Sequence, residues 1–297
     1  MQRSRRAVLA LAGTLTTAGL LGRAVGRVRA APQPEPVSFF ANRRIVSLYG
    51  TPLAPGLGAL GQGTPVQMVE RLRTQAAGYE ALEPAWITQP AFHLIYALAQ
   101  ADAGADGLYL AHTPDAVVED LIALARQNGF LLFLDLQMGR STIAREVGGV
   151  AHWLAQPEVH LALDPEFAWG HPGLVPGGGP NASIGYLSAD QVNEAQTLLQ
   201  GVAAESGLSS KIMIVHQFRH DMLPDKQNIR RYDGVDLVID MDGFGPPVTK
   251  RATYAAVITD DGVDPAAIKL FYQHDQPLLS PEEVLALTPR PAVVIYQ

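Results

Sequence analysis

VHLALDPEF, residues 159–167, runs through apolar residues and ends on an acidic pair, Asp164 and Glu166. A run of this length with no polar alternation suits a strand covered on both faces, as in a parallel sheet flanked by helices. The same unit recurs as FLLFLDLQ (130–137), KIMIVHQF (211–218), DLVIDMDGFG (236–245), IKLFYQHD (268–275) and VVIYQ (293–297). RIVSLYG (44–50) and AFHLIYAL (91–98) have the same apolar body with milder endings. Eight such runs separated by helix-like stretches predict an α/β fold, a single-domain (β/α)8 TIM barrel over 44–297 whose final strand lies at the extreme C-terminus. In that fold the carboxyl ends of the strands line the active site, so the polar endings are the functional candidates.

The stretches between the runs carry explicit helix starts. Thr64 with Pro65 and Gln67, Ser188 with Gln191, and Ser280 with Pro281 and Glu283 each set an N-cap ahead of a capping-box partner, and Thr113-Pro114 supplies a cap followed by Pro. Helices are expected over 65–81, 114–128, 141–155, 189–206, 225–231, 249–257 and 281–287. None follows the last strand, so the eighth helix is either missing or replaced by N-terminal residues. An open doubly wound sheet is the competing architecture. It lacks a dinucleotide fingerprint, because Gly56, Gly58, Gly61 and Gly63 do not fall at G-x-G-x-x-G spacing.

Residues 1–30 read differently from the rest. Arg3, Arg5 and Arg6 precede an apolar stretch from Ala7 to Leu21, and small residues follow at Ala30 and Ala31. This order is that of an export signal peptide, with a membrane anchor that is never cleaved as the alternative, and Ser4-Arg5-Arg6 gives it a twin-arginine-like character. Residues 31–43 are a Pro-rich linker that ends in a short anchoring segment. Loss of 1–30 leaves 16 basic against 29 acidic residues, a formal charge of −13. So acidic a chain argues against nucleic acid or an anionic membrane surface as a partner. No stable membrane insertion is expected after processing. A small-molecule or glycan substrate fits it. With no Cys, neither a disulfide nor a thiolate metal site is possible. The expected location is extracellular or in the cell envelope.

Residues two apart on a strand share a face. Asp164 and Glu166, Asp240 and Asp242, and Asp135 and Gln137 are so spaced, and carboxylates crowded into one barrel mouth raise one another's pKa. That is how a pair of carboxyl groups divides into acid and base, or acid and nucleophile. Glu166, Asp164, Asp240 and His216 are the catalytic candidates. Asp135, Gln137, Trp169, Asp242, Tyr272 and Tyr296 are the substrate-binding ones, with His274 and Asp275 behind them, and His93 reads as structural. The Gly- and Pro-rich segment 167–187 is long enough to be functional, and Trp169 in it suits a sugar-stacking platform.

With its Asp164-x-Glu166 at a strand end, the chain resembles the glycoside-hydrolase-like group of exported bacterial barrels, and in particular the lysozyme-like and chitinase-like D-x-E pattern. It departs from the longer chitinase-type pattern, since Leu161 and Leu163 stand where earlier acids would be. The resemblance implies that Glu166 is the proton donor and Asp164 its assistant. It also extends to uncharacterised exported bacterial proteins, which adds no biochemical role.

Three functions stay open on the sequence. One is a secreted hydrolase of glycosidic bonds that uses carboxylate catalysis and no cofactor. The second is a divalent-cation-dependent, phosphodiester-type hydrolase built on Asp135, Glu166, His216 and Asp240. The third is a non-catalytic barrel that binds a glycan or cationic ligand.

Overall fold

The computed structural model describes residues 38–169 and 184–297. The export-signal expectation, most of the linker and the centre of the 167–187 segment lie outside them.

Eight parallel strands form a closed barrel: β1 (Arg43–Gly50), β2 (Ile87–Ala99), β4 (Leu131–Gly139), β5 (Val159–Ala168), β6 (Lys211–Gln217), β7 (Val235–Met241), β8 (Ala266–Leu270) and β9 (Val293–Tyr296). Closure is made at β1, which pairs in parallel with β2 through Tyr49 and His93 and with β9 through Ile45 and Val293. A short strand, β3 (Leu110–His112), adds antiparallel to the end of β2 and was not foreseen. The helices are α1 (Pro65–Leu82), α2 (Asp115–Asn128), α3 (Ile143–Leu154), α4 (Ala189–Glu205), α5 (Pro247–Tyr254) and α6 (Pro281–Leu285). Among the described residues no helix is long and apolar enough to cross a membrane.

Outward-facing strand residues such as Leu48, Leu94, Leu134, Leu163, Val215 and Met241 pack with helix residues including Leu72, Val118, Val147 and Leu199 in the main core. A second cluster fills the barrel, with Ile45, Ala91, Phe133, Ala162, Ile212, Ile214, Val238, Ala267 and Ile295. Phe40 joins that inner cluster from a 3₁₀ turn at Phe39–Ala41. The turn is tied down by Ser38 Oγ and Phe39 N, which donate to the Asp236 carboxylate at 2.7 and 3.0 Å.

Three capping boxes form as the sequence expects, at Thr64, Ser188 and Ser280. Thr113 behaves otherwise: its hydroxyl donates to the Ile95 carbonyl at 2.9 Å, and α2 starts without a side-chain cap. The helix expected over 225–231 is only a 3₁₀ turn, Lys226–Asn228. Tertiary bonds claim that segment instead. Lys226 Nζ donates to Gln217 Oε1, the Val257 carbonyl and Asp261, and the Asp225 carboxylate accepts from Ala189 N. The last helix stops at Leu285, α5 passes into a π turn at Ala255–Thr259, and β2 begins four residues early by running through Pro90.

Candidate active site

The inward side chains change character along the barrel. Moving two residues toward the carboxyl end from Phe133, Ala162, Ile214, Val238 and Ala267 replaces them with Asp135, Asp164, His216, Asp240 and Lys269. These follow-on residues are themselves buried. The site is therefore stacked in two tiers, a sealed polar layer and above it a cavity that opens at the mouth.

In the sealed layer His216 Nδ1 lies 2.7 Å from Asp240 Oδ2, and Nε2 lies 3.6 Å from Asp135 Oδ2. Tyr49 OH donates to that same Asp135 oxygen at 2.6 Å. Burial by itself disfavours a charged imidazole, but the Asp135 and Asp240 carboxylates outweigh it and hold His216 well above the ordinary histidine range. Asp135 shows the reciprocal effect: burial would raise it, yet His216 draws it well below the usual carboxylate range. Burial pushes His93 far down, so it is neutral. Seven buried polar atoms in the barrel have no hydrogen-bond partner among the described residues: Ser47 Oγ, both ring nitrogens of His93, Asp135 Oδ1, His216 Nε2, Asp240 Oδ1 and Asp242 Oδ1.

The upper tier is a cavity of about 590 Å³. Asp164, Glu166 and Asp242 reach its wall together with Gln137, Tyr49 and Lys269, and Phe167, Phe218, Phe244 and Phe271 make its aromatic surface. Burial, then the nearby Asp135 charge, raises Asp164 well above the ordinary carboxyl range. Burial, then Asp242, pushes Glu166 up to about 7. Burial raises Asp242 as well. Lys269 Nζ sits 3.5 Å from the centre of the Tyr49 ring, and no carboxylate lies within 4.0 Å of it among the described residues.

Local structure fixes the acids. Glu166 N donates to Asp164 Oδ1 at 3.1 Å inside β5, at the irregularity where the register against β4 shifts between Asp164 and Ala168. Gly185 N donates to the Glu166 carbonyl at 2.7 Å, so close that a Cβ on Gly185 would stand 2.2 Å from the Ala168 carbonyl oxygen. Only glycine fits that approach.

The loop after β7, which carries Asp242 and Phe244, is clamped to the loop after β8. Lys250 Nζ and Asp275 Oδ2 form a buried ion pair at 2.7 Å. Lys250 also donates to the Gly243 carbonyl, while Asp275 accepts from Gly245 N and Phe271 N. Asp275→Ala leaves the buried Lys250 ammonium without its counter-charge and two amides unsatisfied, and should lower stability by about 3–5 kcal/mol. Urea unfolding of the variant checks this, and an unchanged midpoint would remove the clamp from the account.

Of the residues singled out from the sequence, Glu166, Asp164, Gln137 and Asp242 share the cavity wall, and His274 joins them. Asp135, His216 and Asp240 lie one inward step deeper, fully buried beneath it. Tyr272 lines a neighbouring recess with Arg71 and Gln273. Three expectations need correction. Tyr296 is buried, its hydroxyl 2.8 Å from Tyr79 OH, and it does not reach the cavity. Trp169 is no platform over the acids: its ring lies against Tyr109 at 4.3 Å with the Arg140 guanidinium 3.9 Å from its centre, off the cavity wall. Asp275, expected at a strand end, sits in a turn, because β8 stops at Leu270.

Lys269, Phe218, Phe244 and Phe271 were missed as wall residues. Strand parity carried past the strand ends could have found them, since Lys269 and Phe271 follow Ala267, Phe218 follows His216 and Phe244 follows Asp242 at steps of two.

No family model matches the chain, and no curated protein matches it. Among solved structures it is similar to a GH5-4 broad specificity endoglucanase from an uncultured bacterium, at a TM-score of 0.32 and 7% identity, over 65% of this chain. The match spans 66% of that enzyme's length. The barrel assignment rests on the strand pairing described above.

Proposed function

We propose that this chain is an exported hydrolase of glycosidic bonds, with Glu166 as the general acid. The observation that supports it best is the meeting of Glu166, Asp164 and Asp242 on the wall of one aromatic-sided cavity, with Glu166 held near the pH at which a proton donor works. Glu166 donates its proton to the glycosidic oxygen as the carbon–oxygen bond breaks. The positive charge that develops on the sugar is stabilised by whichever of Asp164 and Asp242 is ionised. Water then adds to the sugar carbon and returns its proton to a carboxylate. The phenylalanine faces suit the C–H surface of a sugar ring, and Gln137 and His274 suit its hydroxyls. The acidic composition fits an uncharged glycan. The Arg-rich, apolar N-terminus fits export.

In this reading Asp240 and His216 act on the cavity through Asp135 and Tyr49, as positioning residues. Screening the purified chain against a panel of aryl glycosides and polysaccharides tests the proposal. Reducing-sugar release that is lost in Glu166→Gln supports it, and no release from any glycan in the panel would sink it.

The sign of the pH dependence follows from the donor. Below about 7 Glu166 holds its proton, and above it the proton is lost, so turnover should fall on the alkaline side through a pKa near 7. Carbon-13 NMR of glutamate-labelled protein, with Glu166→Gln to assign the signal, reads this without any substrate. A Glu166 carboxyl that titrates in the ordinary range, near 4.3, would contradict it.

A further inference from the structure

The sealed layer beneath the cavity holds more ligand chemistry than the proposed hydrolysis uses. His93, Asp135 and His216 each offer one donor atom, and these atoms lie within 4.8 Å of one another. All three residues are fully buried, on β2, β4 and β6. The three also carry unsatisfied donors or acceptors. Neither His93 nitrogen, nor His216 Nε2, nor Asp135 Oδ1 has a hydrogen-bond partner among the described residues. A buried imidazole with both nitrogens unsatisfied is costly and calls for a partner.

We propose that His93, Asp135 and His216 form a site for one divalent first-row transition ion, of which Zn²⁺ is the reference. Two imidazoles and one carboxylate are a recurrent donor set for such ions. His216 Nε2 and Asp135 Oδ2 are 3.6 Å apart. That is close to the roughly 3.3 Å separation of tetrahedral ligands at metal distances of about 2.0–2.1 Å. The outer contacts fit too. His216 Nδ1 is engaged by Asp240 at 2.7 Å, which fixes the ring and leaves Nε2 to face inward, and Tyr49 OH orients Asp135. His93 is held by its stack on Phe133, with ring centres 5.3 Å apart.

A second cluster, His216 with Asp240 and Asp242, has equally close donors. It would place the ion at Nδ1, the nitrogen already bonded to Asp240, so the hydrogen bond decides for the first set. The ion lies below the cavity floor and needs no contact with a substrate. This inference therefore stands apart from the proposed hydrolysis.

The test uses the full chain, stripped with a chelator, dialysed and then given Zn²⁺ or Co²⁺ alone. Elemental analysis should find about one ion retained per chain, with visible Co²⁺ absorption and a raised Tm. His93→Phe keeps a ring against Phe133 and should abolish retention, as should Asp135→Asn. His93→Gln serves if the Phe variant does not fold. Asp240→Asn should weaken binding by about 10–100-fold. Glu166→Gln should leave it unchanged. Wild-type chain that is folded by circular dichroism yet retains neither ion overturns the proposal. So does retention that survives loss of the His93 imidazole, or that depends on Asp242 in place of His93.

Discussion

Glu166→Gln should reduce turnover of a cleavable glycan by about 10²–10⁴-fold, the range that a positioned proton donor contributes. The substitution keeps the size and planarity of the side chain and removes only the ionisable proton. Because burial and Asp242 push Glu166 up to about 7, the neutral form is well populated at neutral pH, and the amide imitates that form. The fold should therefore be unmoved, with Tm and denaturant midpoint matching wild type. Relief of repulsion with Asp242 points, if anything, to a small gain. Ligand affinity should also hold, since the cavity wall keeps its aromatic residues, Gln137 and Lys269. The decisive pattern is lost kcat with calorimetric binding intact. Wild-type turnover in this variant removes Glu166 from the chemistry, and a matched loss of binding would make it a substrate contact.

The barrel was legible because burial on both faces leaves a signature that needs no partner to be read: short unbroken apolar runs, most of them leading into polar residues. Parity then carried the reading further. Asp164 and Glu166, or Asp240 and Asp242, two residues apart, had to face the same way, and they do. What parity could not give was depth. Asp240 and His216 share a face with cavity residues but stand a step below the floor, because strand stagger around the barrel sets height and no single strand encodes it.

Nor could the sequence show which aromatic belongs to the mouth. Trp169 follows the acids directly, yet Arg140 and Tyr109 hold its ring elsewhere, while Phe218, Phe244 and Phe271 from three separate loops make the wall. The His93 environment was hidden for a like reason. A histidine inside an apolar strand looks satisfied until β4 and β6 are seen to bring Asp135 and His216 beside it.

Deleting residues 293–297 should abolish folding, an effect as large as the whole stability of the domain. β9 pairs with β1 from Ile45 to Leu48 on one side and with β8 from Ala267 to Leu270 on the other. Without it both neighbours become open edges, and the ring of strands is broken at its closure. Val293, Val294, Ile295 and Tyr296 are each at most 1% exposed. Burying such side chains is worth about 1.5–3 kcal/mol apiece. Their loss thus removes on the order of 6–12 kcal/mol, against a typical total of about 5–15 kcal/mol. Val293 and Ile295 belong to the inner cluster and Val294 and Tyr296 to the outer core, so the deletion opens both at once. Removing Gln297 alone is the control. It forfeits the bond from its Nε2 to the Leu57 carbonyl, the backbone bonds that Gln297 makes with the Leu270 carbonyl and Tyr272 N, and one piece of cavity wall, but it leaves the paired residues Val293–Tyr296 in place. That variant should stay soluble, with a cooperative melt and a modest fall in Tm, whereas the five-residue deletion should yield aggregated or protease-sensitive chain. A five-residue deletion that remains monomeric and melts cooperatively would mean that the barrel does not depend on its closing strand.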